Sequence, residues 1–193
     1  MTARTHDMAA VALLVAVVVV TQPGTMTVAT ALTALLANQL GGIAPDVDQP
    51  TAPFWRNLPV GRYFGRVFGA LVGGHRFLCH SILGVAAFGV LSKLFLEFVQ
   101  PLMPRVDIGF VWFAFMIGMV SHLIMDAFTK EGIPLFLPLP YKIGIPPFRR
   151  FRITTGKKVE LLVVFPLLIA VTVWLCSTNY NELTTLIHSH LVK

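Results

Sequence analysis

Five long apolar stretches leave this chain one environment in which to fold. They run roughly from Met8 to Val20, Thr25 to Leu40, Ser81 to Val99, Ile108 to Phe128 and Val159 to Cys176. Hydrocarbon offers no partner for an open N–H or C=O, so each stretch must satisfy its own backbone as a helix. Composition agrees: 55% of the 193 residues are hydrophobic, only 12% are charged, and the mean hydropathy is +0.75, well on the apolar side of soluble domains. The expectation is an all-α integral membrane protein: one membrane-embedded domain over residues 1–193, built as a bundle of about five apolar helices. The first stretch is short and ends at Thr21, Gln22, Pro23 and Gly24. It reads as a span, as half of a shallow hairpin with the second stretch, or as the core of a cleaved leader behind Arg4. Two cysteines, Cys79 and Cys176, are too few for a disulfide framework or a cysteine zinc site. Cys79 reads as a buried thiol.

Basic residues set the orientation. In a five-span chain one face receives Arg4, then Arg56, Arg62, Arg66 and Arg76, then Lys130, Lys142, Arg149, Arg150, Arg152, Lys157 and Lys158, twelve of the 15 lysines and arginines. The opposite face has Arg105 and Lys193. The positive-inside rule then puts the N-terminus in the cytoplasm and the C-terminus outside. The same rule accounts for the basic loop from Lys142 to Lys158, and for the isoelectric point of about 9.8, without a nucleic-acid partner.

Metal-type ligands sort onto that same face although they played no part in drawing it. His6 precedes the first stretch, Asp46 and Asp48 follow the second, and His75 and His80 precede the third. His122 and Asp126 close the fourth, and Glu160 opens the fifth. His188 and His190 fall on the other side and read as a solvated tail. Ionisable groups at the ends of apolar spans are costly unless they pair, coordinate or face water, so the cytoplasmic set reads as one functional site.

Spacing adds local chemistry. His122, Asp126 and Thr129 stand at i, i+4 and i+7, one helix face carrying two ligands and a hydroxyl. Standing alone, such a pair also serves as a hydrogen-bonded packing device. In Gly41-Gly42-Ile43-Ala44-Pro45-Asp46-Val47-Asp48 the glycines and proline are expected to end a helix and start a turn, whose acids either share cations or form an Asx turn. His75, Arg76, His80 and Ser81 read as ligand, phosphate-facing cation, ligand and supporting hydroxyl, or as an interfacial basic belt with a capping serine. Glu160 is either a ligand or a support for its own helix start.

Taken in order, Thr5-His6, Pro45-Asp46-Val47-Asp48, His75-Arg76 with His80-Ser81, His122 with Asp126, Thr129 and Gly132, and Thr155-Gly156 leading to Glu160 resemble the YdjM-like family of inner-membrane predicted metal-dependent hydrolases. The likeness runs from Thr5 to Glu160. That family is in turn thought to be distantly similar to zinc-dependent phospholipase C and P1-type nucleases, which implies phosphoester hydrolysis. Those soluble enzymes use a processed N-terminus as a ligand, for which this sequence has no evident equivalent.

The chemistry that best uses these groups is metal-assisted hydrolysis. Imidazoles and carboxylates suit zinc, with manganese or iron as alternatives, and the ligands are too many for one four-coordinate ion, so two or three ions are expected. Asp46 or Asp126 would accept the proton of the activated water, and Arg76 would meet charge growing on a phosphoryl group. Substrates at the headgroup plane, a phospholipid or lipid-linked phosphoester, fit a site in that position. Two other classes use the same residues: a metal-ion or proton-coupled transporter, which needs ligands near the midplane and access from both sides, and a regulatory membrane protein with a structural metal.

Overall fold

The computed structural model describes residues 1–24, 26–56, 58–71, 76–139 and 141–188. In chain order its helices are α1 (Ala3–Thr21), α2 (Val28–Ile43), α3 (Pro53–Arg56), α4 (Gly61–Leu71), α5 (Ile82–Val99), α6 (Ile108–Ala127), α7 (Phe165–Thr178) and α8 (Tyr180–His188). A 3-10 turn over Ala44–Asp48 extends α2, and one π turn over Glu160–Val164 leads into α7. Among the described residues, α1, extended α2, α5, α6 and extended α7 are long and apolar enough to cross a membrane. The chain is therefore an all-α, multi-pass membrane protein. At 1.5 Å per residue the 19 residues of α1 reach roughly 29 Å, close to the hydrocarbon thickness of about 30 Å. Its length is that of a full span.

Local chemistry places the helix starts. Thr27 caps α2 by accepting the Thr30 N–H at 3.0 Å, Ser81 caps α5 by accepting that of Gly84 at 3.1 Å, and Asp107 caps α6 by accepting that of Phe110 at 3.1 Å. The π turn lies where Pro166 offers no N–H to the preceding turn. Helix α1 begins at Ala3, earlier than its apolar stretch, because the polar turn Arg4-Thr5-His6-Asp7 continues the helix with Thr5 and His6 buried. Hydropathy is blind to a polar turn whose partners lie elsewhere in the chain.

The stretch from Gly41 to Pro45 ends α2 at Ile43 and opens the 3-10 turn, as its glycines and proline imply. The two glycines have a second role: they let the helix touch its neighbours. A Cβ on Gly41 would collide with the Phe115 carbonyl, and one on Gly118 of α6 with the Asn38 carbonyl. The two helices thus meet backbone to backbone, the device that associates helices where lipid removes the hydrophobic drive. Between them the buried Asn38 side chain donates from Nδ2 to the Ala114 carbonyl at 3.0 Å. Helix α1 closes this pair through Leu14, which packs in one cluster with Ala34, Val111, Ala114 and Ile117. On the other side of α6, Trp112 donates from Nε1 to the Gly89 carbonyl of α5 at 2.8 Å. Half of the apolar window of α6 is buried and none of that of α7, so α6 is the axis of the bundle and α7 an outer, lipid-facing stave.

A helix that hydropathy does not reveal fills the stretch between the second and third spans. In α4, Gly61, Gly65 and Gly69 share one buried face, and a Cβ on Gly69 would lie 2.7 Å from the Asp48 carbonyl. Arg62, Tyr63, Phe64, Arg66 and Val67 are exposed, a mixture suited to an interfacial helix. After α6 the chain is tied down by single bridges, Thr129 with Ile153 and Ile133 with Ile143.

Replacing Gly118 by Val should force α2 and α6 apart, at a cost of about 1–3 kcal/mol for overpacking. The expected outcome is a lowered thermal midpoint of the detergent-purified protein, measured by helix circular dichroism against the parent.

Candidate metal centre

Four separate elements converge at one end of the bundle. Helix α6 carries His122 and Asp126 one turn apart, the turn after α2 carries Asp46 and Asp48, the turn before α5 carries His80, and the first turn of α1 carries His6. Sequence separation gives no hint of this meeting. His6, Asp48, His80, His122 and Asp126 are all nearly inaccessible, whereas Asp46 retains 25% of its exposure.

The spacing of ligand atoms is informative. His80 Nε2 and His122 Nε2 each lie 3.7 Å from Asp46 Oδ1, while Asp126 Oδ2 is 3.6 Å from His80 Nε2 and 3.8 Å from His122 Nε2. His6 Nε2 stands 3.3 Å from Asp126 Oδ1. Most of these separations are too long for hydrogen bonds. They match the edge of a coordination tetrahedron: metal–ligand bonds of about 2.0–2.1 Å put neighbouring ligand atoms roughly 3.4 Å apart. Two groups of three, His6 with His122 and Asp126, and Asp46 with His80 and His122, have ligand atoms mutually close enough to hold an ion.

The supports behind these atoms fit the same purpose. His122 Nδ1 donates to the Gly42 carbonyl at 2.6 Å, which fixes the tautomer and leaves Nε2 with a bare lone pair. That Nε2 is buried without a hydrogen-bond partner. A metal ligand held by a backbone carbonyl through its other nitrogen has this arrangement. His80 Nδ1 is 3.3 Å from Asp48 Oδ2, so Asp48 stands behind an imidazole. The rings of His6 and His122 stack with centroids 3.8 Å apart, each holding the other's plane.

Arg76 is buried beside the cluster at φ +56°. Its Nη2 is 2.8 Å from Asp126 Oδ2, its Nη1 donates to Thr129 Oγ1 at 2.9 Å, and its backbone N–H donates to Asp48 Oδ2 at 3.1 Å. The guanidinium thus grips Asp126 from behind. Thr129 in turn donates to the Asp126 carbonyl at 2.7 Å, the role its position at i+3 from Asp126 makes available.

Glu160 stands outside both ligand groups. Its Oε1 accepts the Thr2 N–H at 2.6 Å and the Thr5 hydroxyl at 2.7 Å, and its Oε2 accepts the Gly156 N–H at 2.7 Å. The carboxylate caps α1 from another helix and so holds the turn that bears His6. Sequence reasoning missed this Thr2–Thr5–Glu160 contact, for which the ordered Thr5-His6 and Glu160 motifs are the one trace. It also had no place for the Met1 ammonium, which lies 2.6 Å from Asp126 Oδ1 and 3.0 Å from His6 Nε2. His75 and His190 lie outside the described residues, and His188 ends α8, beyond the far end of α7. Ser81 caps α5. Burial, with the nearby Asp48 charge adding to it, pushes the Cys79 thiol up to about 12, so it stays a neutral packing group.

A helical membrane bundle with a buried knot of imidazoles and carboxylates at one end is the class these observations define. The chain belongs to the YdjM inner membrane protein family, whose model matches residues 1–184. It is 29% identical to the uncharacterized protein YvsG of Bacillus subtilis over 132 residues, 68% of this chain and 71% of that one. It is 28% identical to the inner membrane proteins YdjM of Escherichia coli and Shigella flexneri over 111 residues, 54% of this chain and 48% of each of those. The chain thus matches about half the length of those two relatives. No solved structure matches it.

The Glu160 contacts separate two roles by experiment. Glu160→Gln removes an acceptor from the cap and, with charged hydrogen bonds each contributing about 1.5–3 kcal/mol, should lower the thermal midpoint while bound metal per chain stays at the parent value. Loss of metal in proportion to loss of a ligand would instead make Glu160 part of the coordination shell; plasma mass spectrometry of the purified variants reads the difference.

Proposed function

We propose that this protein is a membrane-bound, metal-dependent hydrolase of phosphoesters. One observation carries the reading: the buried, partnerless Nε2 of His122, oriented by the Gly42 carbonyl, faces carboxylate and imidazole atoms at tetrahedral-edge distances. A core packing device would close such atoms into hydrogen bonds, because an unsatisfied buried polar atom costs about 1–3 kcal/mol.

The donor set of nitrogen and oxygen atoms fits zinc, with manganese or iron as alternatives. A single imidazole nitrogen has one lone pair, so both groups of three cannot use His122 at once. Asp46, His80 and His122 would hold one ion with Asp126 beside them, and His6 with Asp126 would be the residues nearest a second. When bound, such ions lower the pKa of water into the neutral range and polarise the phosphoryl oxygens.

The side chains supply the remainder. Asp46, the one partly exposed member, takes the proton released as water oxygen attacks phosphorus and the P–O ester bond breaks. That proton then returns to the departing alcohol. Asp126 is paired with Arg76, and Arg76 acts on the reaction by holding this carboxylate in place. Asp48 orients His80 and Glu160 orients the His6 turn. The twelve basic residues on the face that carries the site favour a cytoplasmic centre and an external C-terminus, near inner-leaflet headgroups.

His122→Ala and Asp126→Ala should each lose metal and at least roughly a hundredfold in turnover, since even supporting residues behind metal ligands are worth about 10–100-fold. The measurement is metal content of the detergent-purified chain beside a phosphoester screen on the same samples. Unchanged metal in both variants sinks the centre; metal-dependent uptake into proteoliposomes without turnover of any phosphoester sinks the hydrolase.

A further inference from the structure

An apolar cavity of about 350 Å3 opens between α2, α5 and α6, lined by Leu40 and Val47, by Phe88, Leu91 and Phe95, and by Phe115. Its volume is that of a small-molecule pocket, about 300–1,000 Å3. Ser92 is its one polar side chain. The walls belong to helices long and apolar enough to cross a membrane, so what fills the cavity is apolar and comes from the bilayer.

Its inner end is what distinguishes it. Ala44 and Val47 line the cavity and flank Asp46 on the same 3-10 turn, and Asp46 is the one cluster ligand with 25% exposure, the others described being at 2% or less. The open side of the centre and the cavity therefore share one turn of chain. A second apolar cavity of about 340 Å3, walled by Ile82, Leu123, Ala127 and Ile145, lacks this connection: its neighbours His80, His122 and Asp126 are sealed. An occupant of the first cavity needs an apolar tail lying along α5 and an anionic end that meets the cation-binding cluster beside Asp46. A membrane phospholipid has both.

We infer that the cavity between α2, α5 and α6 is an acyl-chain site that draws a phospholipid laterally from the bilayer and sets its phosphate at Asp46. The proposal rests on the hydrolase reading for the fate of the phosphate, and occupancy of the cavity can be read separately. Leaving water favours an acyl chain in the cavity, but relative to lipid the gain is small, so the cavity orients the substrate more than it captures it.

The experiment uses the full chain in lipid nanodiscs containing a phospholipid with a diazirine on its acyl chain. After photolysis, mass spectrometry maps the labels. They should concentrate severalfold on Phe88, Leu91, Phe95 and Phe115 over the exposed side chains Trp174 and Leu167 of α7, which report ordinary lipid contact. Ser92→Phe fills the cavity, and Leu91→Trp, placed on its exposed rim, does so with less risk to the fold. Either should cut the cavity labels severalfold and leave those on α7 unchanged. Even labelling of all lipid-facing helices, or cavity labels indifferent to both substitutions, overturns the proposal. In the metal-loaded protein, both substitutions should lower kcat/KM for a long-chain phospholipid severalfold while turnover of p-nitrophenyl phosphoesters holds. An equal fall for both substrate types counts against the acyl site. Concentrated, substitution-sensitive labels with no turnover of any phosphoester would keep the lipid site and end the hydrolase reading.

Discussion

The backbone contact between α2 and α6 is the constraint on which the rest depends. With Gly41 and Gly118 at the crossing, the end of α2 comes close enough for the Gly42 carbonyl to accept from His122 Nδ1. That one bond orients the imidazole on which both ligand groups converge. The same approach projects the Ala44–Asp48 turn over the end of α6, bringing Asp46 and Asp48 to face His122 and His80. Side chains at the crossing would hold the helices a few ångströms apart, and ligand atoms tolerate far smaller errors than that.

Electrostatics then decides how the end of the bundle is arranged. Three imidazoles and three acids, nearly or wholly inaccessible, cannot stand together in an apolar bundle without compensation. Asp126 receives it from Arg76 and the Met1 ammonium, Asp48 from the Arg76 N–H beside His80, and Glu160 from the first turn of α1. Each acid thus fixes a different segment, and the five spans are pinned to one another at the end where the centre lies. The opposite end has no comparable knot among the described residues; Gln22 with Glu182 is an exposed pair at 3.3 Å.

Much of this was legible from residue order. The five spans follow from hydrocarbon forcing helices, and the helix start at Ile82 fits the capping Ser81. His6, Asp46, Asp48, His80, His122 and Asp126 sort to one face because charge bias and ligand position follow the same alternation of the chain across the membrane. What escaped reading shares one cause, dependence on a distant partner. Gly41 and Gly42 mark the helix end they stand beside, but their role as contact faces shows only when α6 lies against Gly41 and α1 against Gly42. Glu160 looks like a ligand until Thr2 and Thr5 arrive to take its oxygens, and α4 looks like loop until its glycine face meets Asp48 and Trp55. Arg76, read as facing a phosphate, is turned onto Asp126.

By itself the amino-acid order determined that this chain crosses a membrane as helices and that its metal-type ligands gather at one surface, since both follow from local hydropathy, backbone satisfaction and the alternation of sides. Only the tertiary structure decided which atoms of those residues meet, which carboxylate stays partly exposed, and which acid holds the fold together. Those outcomes depend on helix rotation and approach, quantities set by packing between segments far apart in the chain, where a change of a few ångströms turns a ligand into a spectator.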